Sequence, residues 1–478
     1  MHRSLHRSLH RPLAVVALAA AMPLGAQTPT PHQQLARDVY RQLIEINTVD
    51  SVGNVTTAAK AMQARFLAAG FPAADVQLLV PDGQPTKGNL VVRYRGRGGP
   101  NAAKPILLLA HLDVVAANRS DWPRDPFVLH EERGFFLGRG TVDDKSMAAI
   151  FVANLLRYKQ QGWVPDRDLI VALTADEEGG PMNGVRWLLA RHHDAIDAAY
   201  ALNEGAMGAL DGERPVYLAI QAAEKAPVNV TLTATNPGGH ASIPRPDNAI
   251  YQLADALARL ARTPFPVALN DVSRAFFAQT AKVEQPAMAA AMRALVAPNG
   301  TVDTAAAAIV SRNPVYASML RTTCVATRLG GGHANNALPQ TATATLNCRI
   351  VPTSSPEETL ATLVRIVADT GVHVAFPTPP TARAATAPAP IPAELLGAVG
   401  DLTRRMWGDI PVIPMMSTWA TDGAALRAAG IPTFGVSGLF TVPGEENMHG
   451  RDEKLRVKSF YDALEFMDQV VRRVAGGK

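Results

Sequence analysis

The chain has 478 residues, more than one domain core usually holds and enough for two. Hydrophobic residues make up 47% and charged residues 18%, which supplies a large core and excludes global disorder. The formal charge is +4, but residues 1–26 hold Arg3, Arg7 and Arg11 and no acid. The remainder carries 43 basic against 42 acidic side chains, which leaves no electrostatic case for nucleic acid or an anionic membrane as partner.

Residues 1–26 read as an export signal: a basic stretch, an apolar run from Leu13 to Met22 and a small-residue exit at Ala26. The expected product is periplasmic or secreted, with no membrane span in its mature form, because no later segment has about 18 uninterrupted apolar residues. The periodicity then predicts helices over Gln33–Ile46 and Thr57–Ala69. Strands Asn89–Tyr94, Pro105–Ala110 and Leu169–Thr174 alternate with helices Met147–Tyr158 and Val185–Arg191, the pattern of an α/β layer with a mostly parallel sheet. Val216–Thr235 changes to alternating β chemistry, Asp247–Ala261 reads as a helix, and Pro264–Val315 is Ala-rich and helical. Paired strands return over Arg321–Pro352, so this block resembles an α+β insertion. The Pro/Ala/Thr-rich Phe376–Pro392 reads as a surface loop. Strands at Pro411–Met416 and Pro432–Val436 and a final helix follow. The expected division is 27–223 and 354–478 for one domain and 224–353 for the insert.

Cys324 and Cys348 are the only cysteines, which excludes a cysteine-based zinc site or iron–sulfur cluster. They fall in two adjacent β-type stretches. Two outcomes fit: a cross-strand disulfide, favoured by an oxidising compartment, or two buried thiols.

The chemistry-bearing residues cluster at strand ends and in glycine loops. In His111-Leu-Asp113 the i and i+2 side chains share a face, so Asp113 can accept the second N–H of the imidazole and fix its tautomer, as metal-binding histidines require. Asp143 and Asp144 lie in a glycine-rich turn ahead of a helix. Asp176-Glu177-Glu178 follows a strand at the edge where α/β sheets hold ligands. Neighbouring glutamates cannot share one face, so one can bind metal while the other moves protons. Asn203-Glu204-Gly205 ends another strand-like run, and His449 lies in Asn-Met-His-Gly near the C-terminus. Each has an ordinary explanation by itself. Together, two histidines and four acids suit a carboxylate-bridged pair of zinc ions.

These residues, in this order and spacing, resemble the co-catalytic dizinc hydrolases that include glutamate carboxypeptidase, carnosinase, succinyl-diaminopimelate desuccinylase and the zinc aminoacylase. The resemblance implies that Asp143 bridges two divalent ions, most simply Zn2+ with Co2+ or Mn2+ as alternatives. It implies that His111 and Glu204 complete one site and Glu178 and His449 the other, with Glu177 as general base and Asp113 orienting His111. It also implies a cis peptide at Asp143–Asp144 and an inserted lid, often a dimerisation domain. In the lid, His240 (Gly238-Gly239-His240-Ala-Ser242) would help stabilise an oxyanion. Asn335, Asn336 and Arg349 would hold a substrate carboxylate, for which the planar fork of arginine is apt. A hinge is expected near 222–226 and 352–356. Two departures stand out: Ser146 where a glycine usually follows the lysine, and a Pro264–Val315 stretch longer than in the smallest lids.

The expected activity is hydrolysis of an amide, in a small peptide, next to a free C-terminal carboxylate. The alternatives are an N-acyl-amino-acid amidohydrolase and, in a different class, a non-catalytic metal- or peptide-binding protein, against which Glu177 beside the ligand Glu178 argues. A homodimer through the lid is compatible with all three. Gly435-Val-Ser437-Gly-Leu439 lacks the second glycine of a nucleophile elbow, and no glycine-rich phosphate loop is present.

Overall fold

The structure is a computed structural model that describes residues 28–98, 103–298, 302–378 and 388–477. The expected leader, residues 1–26, and most of the Phe376–Pro392 loop lie outside the described residues. Among the described residues no helix is long and apolar enough to cross a membrane.

A ten-stranded mixed sheet organises the molecule. Its centre is parallel: Leu169–Thr174, Ile106–His111, Tyr200–Asn203 and Thr433–Gly435 lie side by side in that order. These strands are apolar along their length because both faces are covered. Ile106, Leu108 and Ala110 point into one core, beneath the helices Pro31–Ile44, Lys145–Gln161 and Val457–Ala475. Leu107 and Leu109 point into the other, against Gly184–Arg191 and Gly423–Ala428. With His111 opposite Thr174 in register, the parallel strands end together, and their following loops share one edge.

A second sheet is antiparallel, in the order Thr323–Gly331, Thr341–Ile350, Ala226–Thr235, Val372–Ala375. Val228, Val230, Leu232 and Ala234 alternate inward beneath Ala249–Arg262 and Pro356–Val367. Cys324 stands opposite Cys348 and the two form a disulfide, which decides between the two outcomes open in the sequence. The Asp143–Asp144 peptide is cis.

Two boundaries differ from expectation. The second crossing between the sheets was expected at 352–356, yet Pro356–Val367 and Val372–Ala375 still belong to the second layer. The return therefore comes after Ala375. An amphipathic helix reports that it has a buried face but not which core that face meets. The helices of the Pro264–Val315 stretch likewise leave the second layer: Phe276, Phe277, Met292 and Val310 join the core of the large sheet. The first crossing falls at Lys225, between Arg214–Glu224 and Ala226–Thr235, within the expected hinge.

Candidate metal centre

The edge where the parallel strands end gathers the predicted ligands. His111 closes its strand and is buried. Its Nε2 lies 2.9 Å from one carboxylate oxygen of Asp143. The other oxygen of Asp143 lies 3.0 Å from Nε2 of His449. The same His449 nitrogen is 2.9 Å from Glu178, and Glu204 approaches His111 to 3.8 Å. Ligand atoms of His111, Asp143 and Glu178 lie within 4.8 Å of one another, as do those of His111, Glu177 and Glu204. One carboxylate thus faces two imidazoles that come from positions 338 residues apart in sequence numbering.

Asp113 meets His111 through both its backbone and its side chain. His111 Nδ1 donates to the backbone carbonyl of Asp113 at 3.0 Å, with the carboxylate further off at 3.5 Å. Either contact leaves Nε2 free for a metal. The Asp113 carboxylate also accepts the backbone N–H groups of Glu177 and Glu178 at 3.1 and 3.0 Å, so it shapes the loop carrying both glutamates. Asp176 braces that loop from the other side. Its φ of 57° is unusual for a side-chain residue, and Lys87 and the Met182 amide hold its carboxylate. After Glu204 the turn requires glycine: Gly205 has φ 111°, and an added Cβ would fall 1.5 Å from Gln221 Oε1.

Electrostatics match this chemistry. Burial pushes the Glu177 carboxyl up to about 9, helped by Asp422, Asp143 and Glu178 nearby. Burial and Asp143 raise Glu204 well above the usual range, and burial also raises Glu178. For Asp143 burial acts the same way, but hydrogen bonds from His111 and His449 outweigh it and hold the carboxyl below its ordinary value. Hydrogen bonds to Asp143 and Glu178 raise His449 to about 10. Four carboxylates beside two imidazoles make an oxygen- and nitrogen-rich donor set with an excess of negative charge, which fits a pair of divalent cations.

Of the remaining candidates, Arg349 lies on the second sheet, while His240, Asn335 and Asn336 belong to a separate two-stranded ribbon and the loop leading into it. Arg349 is half-buried near the Lys225 crossing, opposite Pro227 in register, and its Nε donates to Asn347. His240 is exposed and bonded to Ser242 at 2.7 Å. Asn335 and Asn336 are exposed beside it, because Gly239–His240 pairs with Ala337–Leu338 and the Ala241 amide donates to the Asn336 carbonyl. Among the described residues, no hydrogen bond or ion pair joins these four to the ligand cluster.

One buried pair was not anticipated. Glu453 and Arg139 meet at 2.6 Å beneath the bridging loop, both almost fully buried. Nothing distinguishes Glu453 in its polar stretch Gly-Arg-Asp-Glu-Lys. The one available signal is the arginine inside Gly138-Arg-Gly140, a charge placed in a turn otherwise built from small residues.

Residues 107–473 match the family model described as Peptidase family M20/M25/M40. The chain belongs to this family and is a hydrolytic enzyme of the metallopeptidase and amidohydrolase kind. It is 26% identical over 392 residues to the human N-fatty-acyl-amino acid synthase/hydrolase PM20D1, covering 79% of this chain and 75% of that protein. It is 25% identical over 396 residues to a probable carboxypeptidase S-like protein of Dictyostelium discoideum, covering 80% of this chain and 74% of that protein. Mouse aminoacylase-1 is 24% identical over 444 residues, covering 91% and 94% of the two chains. In fold the chain is similar to an M20 family metallo-carboxypeptidase of Sulfolobus solfataricus, with TM-score 0.65, 16% identity and coverage of 92% and 98%. Human carnosine dipeptidase 1 is also similar, with TM-score 0.60, 14% identity and coverage of 93% and 96%.

Proposed function

We propose that this enzyme hydrolyses an amide bond next to a free C-terminal carboxylate in small peptides, as a dipeptidase or carboxypeptidase. One observation carries the reading: Asp143 turns each carboxylate oxygen toward a different histidine, the arrangement of a bridging ligand. His111 and Glu204 would hold one ion and Glu178 and His449 the other, zinc first, with cobalt or manganese as alternatives. When bound, the pair supplies Lewis-acid polarisation of the scissile carbonyl and an acidified water. Glu177 takes a proton from the attacking water and returns it to the leaving nitrogen, so one carboxyl serves as base and then acid. Asp113 fixes Glu177 and Glu178 through their amides. Arg349 pairs with both oxygens of the substrate carboxylate, with Asn335 and Asn336 assisting, and His240 donates to the developing oxyanion. Because Arg349 stands on the second sheet and the other three on the small ribbon that continues from its strands, the reading requires that layer to close about Lys225 and the segment after Ala375, or a second subunit to contribute them in a homodimer through the insert.

Hydrolysis of N-acyl amino acids is a second reading, favoured by the names of the human and mouse relatives. It uses the same centre and carboxylate clamp. Rates on dipeptides and on N-acyl amino acids, each with free and esterified carboxylate, separate the two. We expect Arg349→Ala to raise KM at least tenfold for free-carboxylate substrates and little for esters. Equal effects on both would remove Arg349 from this role. We further propose that residues 1–26 direct export to the periplasm or outside the cell. Retention of a full-length fusion with residues 1–26 intact in the cytoplasm would contradict that.

A further inference from the structure

Glu453 spends its whole carboxylate on one task. One oxygen accepts Arg139 Nη1 at 2.6 Å and the Gly140 amide at 3.1 Å. The other accepts the amides of Val142 at 2.7 Å and of Asp143 itself at 3.1 Å. Arg139 then reaches the other way, its Nη2 donating to the carbonyls of His449 at 3.3 Å and Gly450 at 3.0 Å. The guanidinium is also backed by the Trp122 ring, 5.2 Å from its centroid. A buried ion pair rarely adds net stability, since desolvating both charges costs about what their attraction returns. Its geometry, however, links the two loops that carry Asp143 and His449, 306 residues apart.

The two halves of the centre need this link unequally. His111 ends a central strand and is fixed by the sheet. His449 stands on an irregular turn with φ 60°, its side chain half exposed. We propose that the Arg139–Glu453 pair is the positioning device that holds His449 in register with the bridging Asp143, and that it governs the affinity of the Glu178/His449 site more than that of the His111/Glu204 site. The inference rests on the dinuclear reading above and adds residues that touch neither substrate nor ion.

The test uses full-length protein stripped with a chelator and titrated with Zn2+ by calorimetry, with turnover and the melting temperature of the stripped protein recorded in parallel. Wild type is expected to take two ions per chain. Glu453→Gln is expected to lose roughly 10–100-fold in affinity at one site and distinctly less at the other, the scale seen when a residue supporting a metal ligand is changed. Added zinc should restore its turnover. Arg139→Lys retains the charge but lacks the fork that reaches His449 and Gly450, so it should repeat the selective loss; it decides alone if Glu453→Gln does not fold. Two wild-type affinities in the variants would overturn the inference, as would equal weakening of both sites in step with a lower melting temperature. A wild type that takes fewer than two ions would overturn the dinuclear reading and this inference with it.

Discussion

Glu177 differs from Glu178 by one position and by what surrounds it. Glu178 hydrogen-bonds His449, while among the described residues the Glu177 carboxylate has no such partner, and burial, with Asp422, Asp143 and Glu178 nearby, raises it. Dications bound beside it would offset this and favour the ionised carboxylate, the form a general base needs. Glu177→Ala is expected to bind metal as wild type does and to lose about 10²–10⁴-fold in kcat. Metal content by atomic absorption beside a hydrolysis assay checks it, and retained turnover would contradict the base role. Lys225, at the crossing between the sheets, makes a different prediction. Burial, with Arg349 nearby, pushes its amine down to about 7, whereas the unfolded chain has a lysine near about 10.4. Between these values the unfolded state binds the extra proton, so the cost of burying Lys225 is full below about 7 and vanishes as pH rises past the unfolded value. Stability should therefore rise with pH across that window, and Lys225→Met should remove that part of the slope. Urea denaturation at several pH values between the two limits reads this directly, and an unchanged slope would refute it.

Elements explain why the candidate ligands meet. Each of three parallel strands delivers its residue at the C-terminal end: His111 directly, Glu177 and Glu178 after Thr174, Glu204 after Asn203. The i, i+2 pattern and the glycine loops made these positions legible from residue order alone. The roles of Asp113 and Glu453 were less legible because both act on backbone amides, and an amide partner leaves no trace in side-chain type. The disulfide belongs to this scale too, since antiparallel register places Cys324 opposite Cys348. The pair closes a loop with a sequence separation of 24, for which loop-closure entropy gives about 3 kcal/mol. Replacing both with Ser and Ala is expected to lower unfolding free energy by about that amount, measured by denaturant titration. A double variant as stable as wild type would show that the bond does little beyond joining the two strands.

At the scale of the molecule, the centre draws on residues from 111 to 449 around one sheet edge, and cations of the proposed kind would bind the folded state alone. Chelation should therefore lower the melting temperature, and zinc at about 1,000 times its dissociation constant should return about 4 kcal/mol per site. A melting temperature indifferent to chelator would count against metal holding these acids together. The sequence by itself determined the α/β pattern and the types and order of the candidate ligands, because hydrophobic period and donor chemistry are local properties. Tertiary structure alone decided that Pro356–Val367 and Val372–Ala375 stay with the second sheet, that Phe276 and Phe277 cross to the first core, and that Glu453 grips the Asp143 loop. Those outcomes depend on which buried face meets which, and a one-dimensional pattern states that a face exists without naming its partner.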